Sequence, residues 1–135
     1  MKTLILSLIL SVLSLSSNAQ SFYRAIVTEM YTKNQYTDKW DLYQKNSDVK
    51  IDLCIEEEFI TFFANSPTMY KVYNNTKKSI SFSSYTGYTY LAKDLKKDIY
   101  VTLDLVRDPD SGVTMLSVVN NSEGFNLRYF LIVKN

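Results

Sequence analysis

Between Val49 and Ala64 the chain alternates apolar and polar positions. Val49, Ile51, Leu53 and Ile55 are set against Lys50, Asp52 and Cys54. After Glu56-Glu57-Glu58, the residues Ile60, Phe62 and Ala64 resume the alternation until Asn65-Ser66-Pro67 stops it. A period of two with one apolar face describes a half-buried strand. Two such runs joined by a short charged tip predict an antiparallel hairpin. A second clean alternation sets Ile99, Val101, Leu103 and Leu105 against Tyr100, Thr102, Asp104 and Val106. The two apolar faces together are the expected core.

The remaining segments follow the same grammar. Phe22 to Thr32 is rich in strand formers, although Arg24, Glu29 and Met30 leave its buried face undecided. Trp40 and Leu42 share one face of a short strand, with Asp41 and Tyr43 on the other. Further strands are predicted at Met69–Tyr73, Ile80–Phe82, Tyr88–Ala92, Val113–Val119 and Phe125–Val133. Polar clusters punctuate them, and Gly87 is expected to supply a turn. Asp108-Pro109-Asp110-Ser111-Gly112 is a turn with a mechanism: proline presets φ, aspartate bonds the local backbone, and glycine accepts positive φ. No window shows a sustained 3.6-residue period. About nine or ten strands at roughly 8–12-residue spacing predict an all-β single domain. Short connections favour an antiparallel meander, small and barrel-like, with a two-sheet β-sandwich as the alternative. The three glycines, Gly87, Gly112 and Gly124, fall in predicted turns, which counts against tight closure because small barrels coil through internal glycines or bulges.

The amino terminus stands apart. Lys2 precedes an apolar run from Leu4 to Leu15 and then Ser16-Ser17-Asn18-Ala19, the pattern of a secretory signal peptide cut after Ala19. The run is shorter than the roughly 20 residues a bilayer demands. The expected product, residues 20–135, is a secreted or periplasmic domain with no transmembrane segment. Loss of Lys2 leaves its basic and acidic residues balanced, with signs interspersed. A nucleic-acid partner would need a clustered basic footprint, so that class is excluded. The single cysteine, Cys54, cannot form an internal disulfide; it is either a covered small side chain on the polar face of its strand or the site of an intermolecular disulfide.

The chain contains no histidine. That removes the commonest general base, the Ser-His and Cys-His nucleophile pairs, and imidazole metal sites. Three scattered glycines cannot build a phosphate-cradling loop. A carboxylate pair of the glycosidase type is the surviving catalytic option, but most of the acids lie in predicted turns. The expectation is therefore no enzyme, no cofactor and no metal. The Asp108–Gly112 and Glu56–Glu58 clusters are explained by turn chemistry and a solvated tip rather than by calcium.

Eleven tyrosines, seven phenylalanines and one tryptophan are the most suggestive composition signal. Exposed rings on a rigid sheet can stack on sugars or fill a partner's pocket, although tyrosine is also simply a good strand residue. Tyr85, Tyr88 and Tyr90 form one candidate contact group, and Tyr36, Trp40 and Tyr43 a second. Tyr88 and Tyr90 share a face, and Leu91 takes the other. If Leu91 points inward, the two tyrosines are an exposed platform. Asn74-Asn75-Thr76 and Asn120-Asn121-Ser122 match the N-glycosylation pattern. An early tryptophan preceded by Asp38-Lys39, with Arg128 late in the chain, resembles the lipocalin-like barrels, without the glycine of their Gly-x-Trp. A shared architecture would imply a lumen for an apolar ligand. The leading expectation is a non-catalytic exported β domain that binds through an aromatic-rich surface. Its partner would be a protein, a glycan or an apolar small molecule. The alternatives are a lipocalin-like carrier and, last, a carboxylate-based hydrolase.

Overall fold

The computed structural model describes residues 20–134, so the signal-peptide reading falls on residues outside them. Ten strands follow one another: β1 (Ser21–Lys33), β2 (Trp40–Asn46), β3 (Ile51–Ile55), β4 (Phe59–Phe63), β5 (Thr68–Val72), β6 (Lys78–Phe82), β7 (Tyr85–Asp94), β8 (Ile99–Arg107), β9 (Thr114–Asn120) and β10 (Phe125–Val133). A single 3-10 turn, Asn74–Thr76, interrupts them. Eight strands close into an antiparallel ring in the order β1-β3-β4-β5-β7-β8-β9-β10, with β10 returning to β1. The small barrel expected from the sequence is the observed architecture, and the two-sheet alternative is not.

β2 and β6 lie outside the ring, and both do so for the same reason. β1 is long enough to pair along one edge first with β3 (Ser21–Ala25) and then with β2 (Thr28–Lys33). β7 likewise pairs with β6 over Tyr85–Thr89 and with β5 over Ala92–Asp94. Each long strand is one arm of a hairpin whose other arm is broken in two, and only one half of the broken arm enters the barrel. At the second break the lost ladder bonds are replaced locally. Tyr73 N–H donates to Leu91 O at 3.0 Å, and Leu91 N–H donates to Thr76 Oγ1 at 2.9 Å.

Alternation selects the core. Leu53, Ile60, Leu103, Leu116 and Val118 are fully buried inside the barrel, each contributing on the order of 1.5–3 kcal/mol by its removal from water. Phe62 packs edge-on to Tyr70 at 5.9 Å and against Tyr129 at 4.7 Å, filling the half of the barrel nearer the 64–67 connection. The alternating faces Ile51–Phe62 and Ile99–Leu105 therefore both supply the core, while Val49 and Ala64, at the ends of the first pattern, lie outside the strands and Ala64 is exposed. Charged side chains such as Arg24, Asp52, Lys71 and Arg128 occupy the outer wall. Among the described residues no helix is long and apolar enough to cross a membrane.

One reading needs correction. Gly87 is not a turn residue: it lies within β7, opposite Ile80 and Val106, and the turn falls at Ser83–Ser84. A Cβ at Gly87 would stand 2.1 Å from Leu105 O and 2.7 Å from Val106 Cα. The missing side chain lets β7 bend tightly over β8, which is the coiling that a small closed barrel requires. The first strand, whose buried face its sequence leaves undecided, is resolved by its register. The β1–β10 register slips between Ala25 and Val27, so Ile26 is a bulge residue and the inward set changes from Tyr23 and Ala25 to Thr28, Met30 and Thr32.

Candidate functional site

The barrel has an open mouth at the end where β1 begins and β3, β5 and β8 finish. Its floor is made of inward side chains, Ile55, Val72, Tyr90 and Leu105. Its rim carries Ser21, Glu56, Glu57, Asn74, Lys77 and Tyr88, and together they bound a cleft of about 470 Å³. Strand parity explains the floor: Tyr88 lies directly opposite Leu105, and Tyr90 opposite Leu103, so both tyrosines project to the inside of the ring.

The rim is held by specific bonds. Asn74 Nδ2 donates to Glu57 O at 2.7 Å, and Val72 N–H donates to Glu58 O at 2.7 Å. These tie the 3-10 turn to the β3–β4 tip. Lys77 Nζ sits 4.1 Å from the centroid of the Tyr88 ring and makes no ion pair among the described residues. Burial pushes the Tyr90 phenol up to about 12, with the Asp104 carboxylate adding to the shift, so it stays neutral at any physiological pH. The site thus offers an apolar floor, one neutral hydroxyl, one cation over a ring, and two rim carboxylates.

The sequence-derived candidates distribute unevenly. Leu91 points outward, 39% exposed, so the condition for an exposed Tyr88–Tyr90 platform is not met. Tyr90 is buried at the base of the mouth, and Tyr88 stands half-exposed on its rim. Tyr85 stacks on Phe82 at 5.7 Å beside the β6–β7 turn. Tyr36 and Tyr43 are strongly exposed, at the β1–β2 connection and on β2, while Trp40 lies under Lys33 at 5.8 Å. The second group therefore occupies the arm outside the barrel, far along the chain from the mouth. Cys54 points outward yet is only 4% exposed, between Phe22 of β1 and Thr61 of β4. Burial and the Glu56 carboxylate, 3.8 Å away, push its thiol up, leaving little sulfur for a second chain to reach.

Several acids are occupied by structural duties. Asp94, buried, accepts from the N–H groups of Lys96 and Lys97 and so shapes the β7–β8 turn. Asp108 accepts from Asp110 N–H and Ser111 Oγ, and these bonds hold its carboxyl below the usual range. Gly112, at φ +72°, completes that turn as its sequence predicts. Both glycosylation-pattern asparagines are also engaged: Asn74 braces the mouth, and Asn120, buried, accepts from Glu123 N–H.

Sequence reasoning missed a second concavity, on the outer wall. Ile26, Val27, Val113, Phe130 and Ile132 line an apolar groove of about 480 Å³ bounded at one end by Glu29 and Lys45. The β1 bulge creates it by turning Ile26 and Val27 to the same side. The one available signal was the adjacent apolar pair Ile26-Val27 in a strand that should alternate. Comparison with known proteins adds no candidate function: no family model matches the chain, and no curated protein or solved structure does.

Proposed function

We propose that this is an exported, non-catalytic binding domain that takes a small amphipathic ligand in the barrel mouth. The observation that carries the reading is the apolar floor of Ile55, Val72, Tyr90 and Leu105 beneath a polar, braced rim. Eight-stranded barrels are just wide enough for side chains to fill the interior or for one small ligand to enter, and ligand sites favour barrel mouths. Here the deep half is filled by Phe62, Tyr70 and Tyr129, so the ligand sits shallowly, its apolar part on the floor and its polar end at Lys77 and Asn74. A second reading, a protein partner on the outer wall, rests on the groove at Ile26 and Ile132.

Titration of the exported protein with the fluorescent amphiphile 1-anilinonaphthalene-8-sulfonate separates the two. Filling the mouth with Leu105→Trp is expected to weaken binding by about tenfold or more, a loss of roughly 1.4 kcal/mol, while Ile132→Glu leaves it unchanged. The opposite pattern would transfer the site to the outer groove. Probe binding that neither substitution alters would dismiss both readings.

A further inference from the structure

The two strands outside the ring give the molecule two free sheet edges, and the edges differ. β2 is guarded. Its pairing with β1 slips between Met30 and Tyr31, leaving Tyr43 as an extra residue, and it carries Asp41 and Lys45. Bulges and charges of this kind keep exposed edges from pairing. β6 has no bulge and no charge in its interior. Lys78–Phe82 runs in unbroken register along β7, with no proline and one charge at its first residue.

The hydrogen-bonding pattern of β6 follows from its turn. Phe82 and Tyr85 flank a two-residue loop, so they are a hydrogen-bonded pair, and Ile80 with Gly87 is the next. The N–H and C=O groups of Ser79 and Ser81 consequently point away from β7. Among the described residues no other strand pairs with that edge.

We propose that β6 is a homodimerisation edge that pairs antiparallel with β6 of a second copy about a two-fold axis at Ile80. In this register Ser79 faces Ser81 of the second copy and the reverse, giving four backbone hydrogen bonds. Lys78, Ile80 and Phe82 share one face, so Ile80 meets its own counterpart and each Lys78 lies beside the other copy's phenylalanine ring, a cation–π arrangement. The occupant is a second copy because the edge complements itself: apolar on apolar, hydroxyl on hydroxyl, cation on ring. A two-fold interface uses the same patch twice, which this symmetry satisfies. A five-residue edge buries far less than the ~800 Å² per partner of a standard interface, so the association is weak and concentration-dependent.

Sedimentation of the exported protein from about 10 μM to about 1 mM, the weak end of the affinity scale, tests the proposal against Ser81→Pro. Proline removes the N–H that faces the free edge and leaves the Ile80 and Phe82 bonds to β7 intact. The expected result is a reversible dimer for the parent chain, weakened at least about tenfold by the substitution, with the melting temperature unchanged. A monomer across the whole range, or a dimer that Ser81→Pro does not weaken, would overturn it. Should Ser81→Pro lower the melting temperature, Ile80→Lys, which sets like charges at the two-fold axis, supplies the same readout.

Discussion

At the residue scale, Gly87 carries the largest structural demand. The Leu105 carbonyl and Val106 Cα that a Cβ would strike are backbone atoms and cannot rotate aside. Gly87→Ala is expected to cost about 3 kcal/mol and to lower the melting temperature by about 10 °C or more, measured by circular dichroism. Gly87 is legible in the sequence as a special position, but its role is not. A glycine between polar hydroxyl residues looks like a turn, and only the register with β8 shows that it is a close approach within a strand. Tyr88 and Tyr90 teach a related lesson. Their shared face was readable from spacing, yet its direction was not, because tyrosine and leucine are equally at home inside and outside a small barrel. Ile26 was unreadable for a third reason: a bulge changes parity midway, so neither half of β1 obeys the alternation of the other.

At the scale of elements, the seam where β10 meets β1 and β3 is fastened by charge. Arg24 Nε donates to Asp52 Oδ1 at 2.8 Å across β1 and β3, and Lys134, just past β10, reaches the same carboxylate. The Arg24 hydrogen bond first, and then Lys134, lowers the Asp52 carboxyl from 3.8 to about 2. A carboxylate whose folded pKa is depressed stabilises the fold above its unfolded pKa, and the contribution fades as pH falls from about 4 towards 2. Asp52→Asn should therefore lower the melting temperature at pH 7 and flatten its decline between pH 4 and 2. Unchanged melting at both ends of that window would mean that solvent screens the cluster entirely. The strands themselves are legible: the hairpin expected between Val49 and Ala64 forms over Ile51–Phe63, and Ile99–Val106 and Phe125–Val133 stand within β8 and β10. The broken arms were not, since local pattern marks where a strand stops but not which neighbour each half joins.

At the scale of the whole molecule, the ring depends on its last strand. β10 bonds to both β9 and β1, and Leu131, Leu127, Tyr129 and Phe125 contribute to the core or pack against it. Removing residues 125–134 exposes two further edges and opens that core, against a total stability of only about 5–15 kcal/mol for a domain. The truncated chain is expected to show no cooperative thermal transition by circular dichroism; a sharp transition near that of the intact protein would contradict the closed ring as the folding unit. Fold class was legible because about nine or ten short strand-like runs, with no helical period among them, leave few architectures. Closure itself was a narrow inference, since it rests on contact between residues about a hundred positions apart, which no local pattern encodes.

That contact has a consequence for what the first and last strands are. Tyr23 lies opposite Val133, and Lys134 N–H donates to Phe22 O. β1 and β10 are neighbouring places on one continuous wall, so the ring has no outermost strand, and its first and last strands mark only where a circle has been cut.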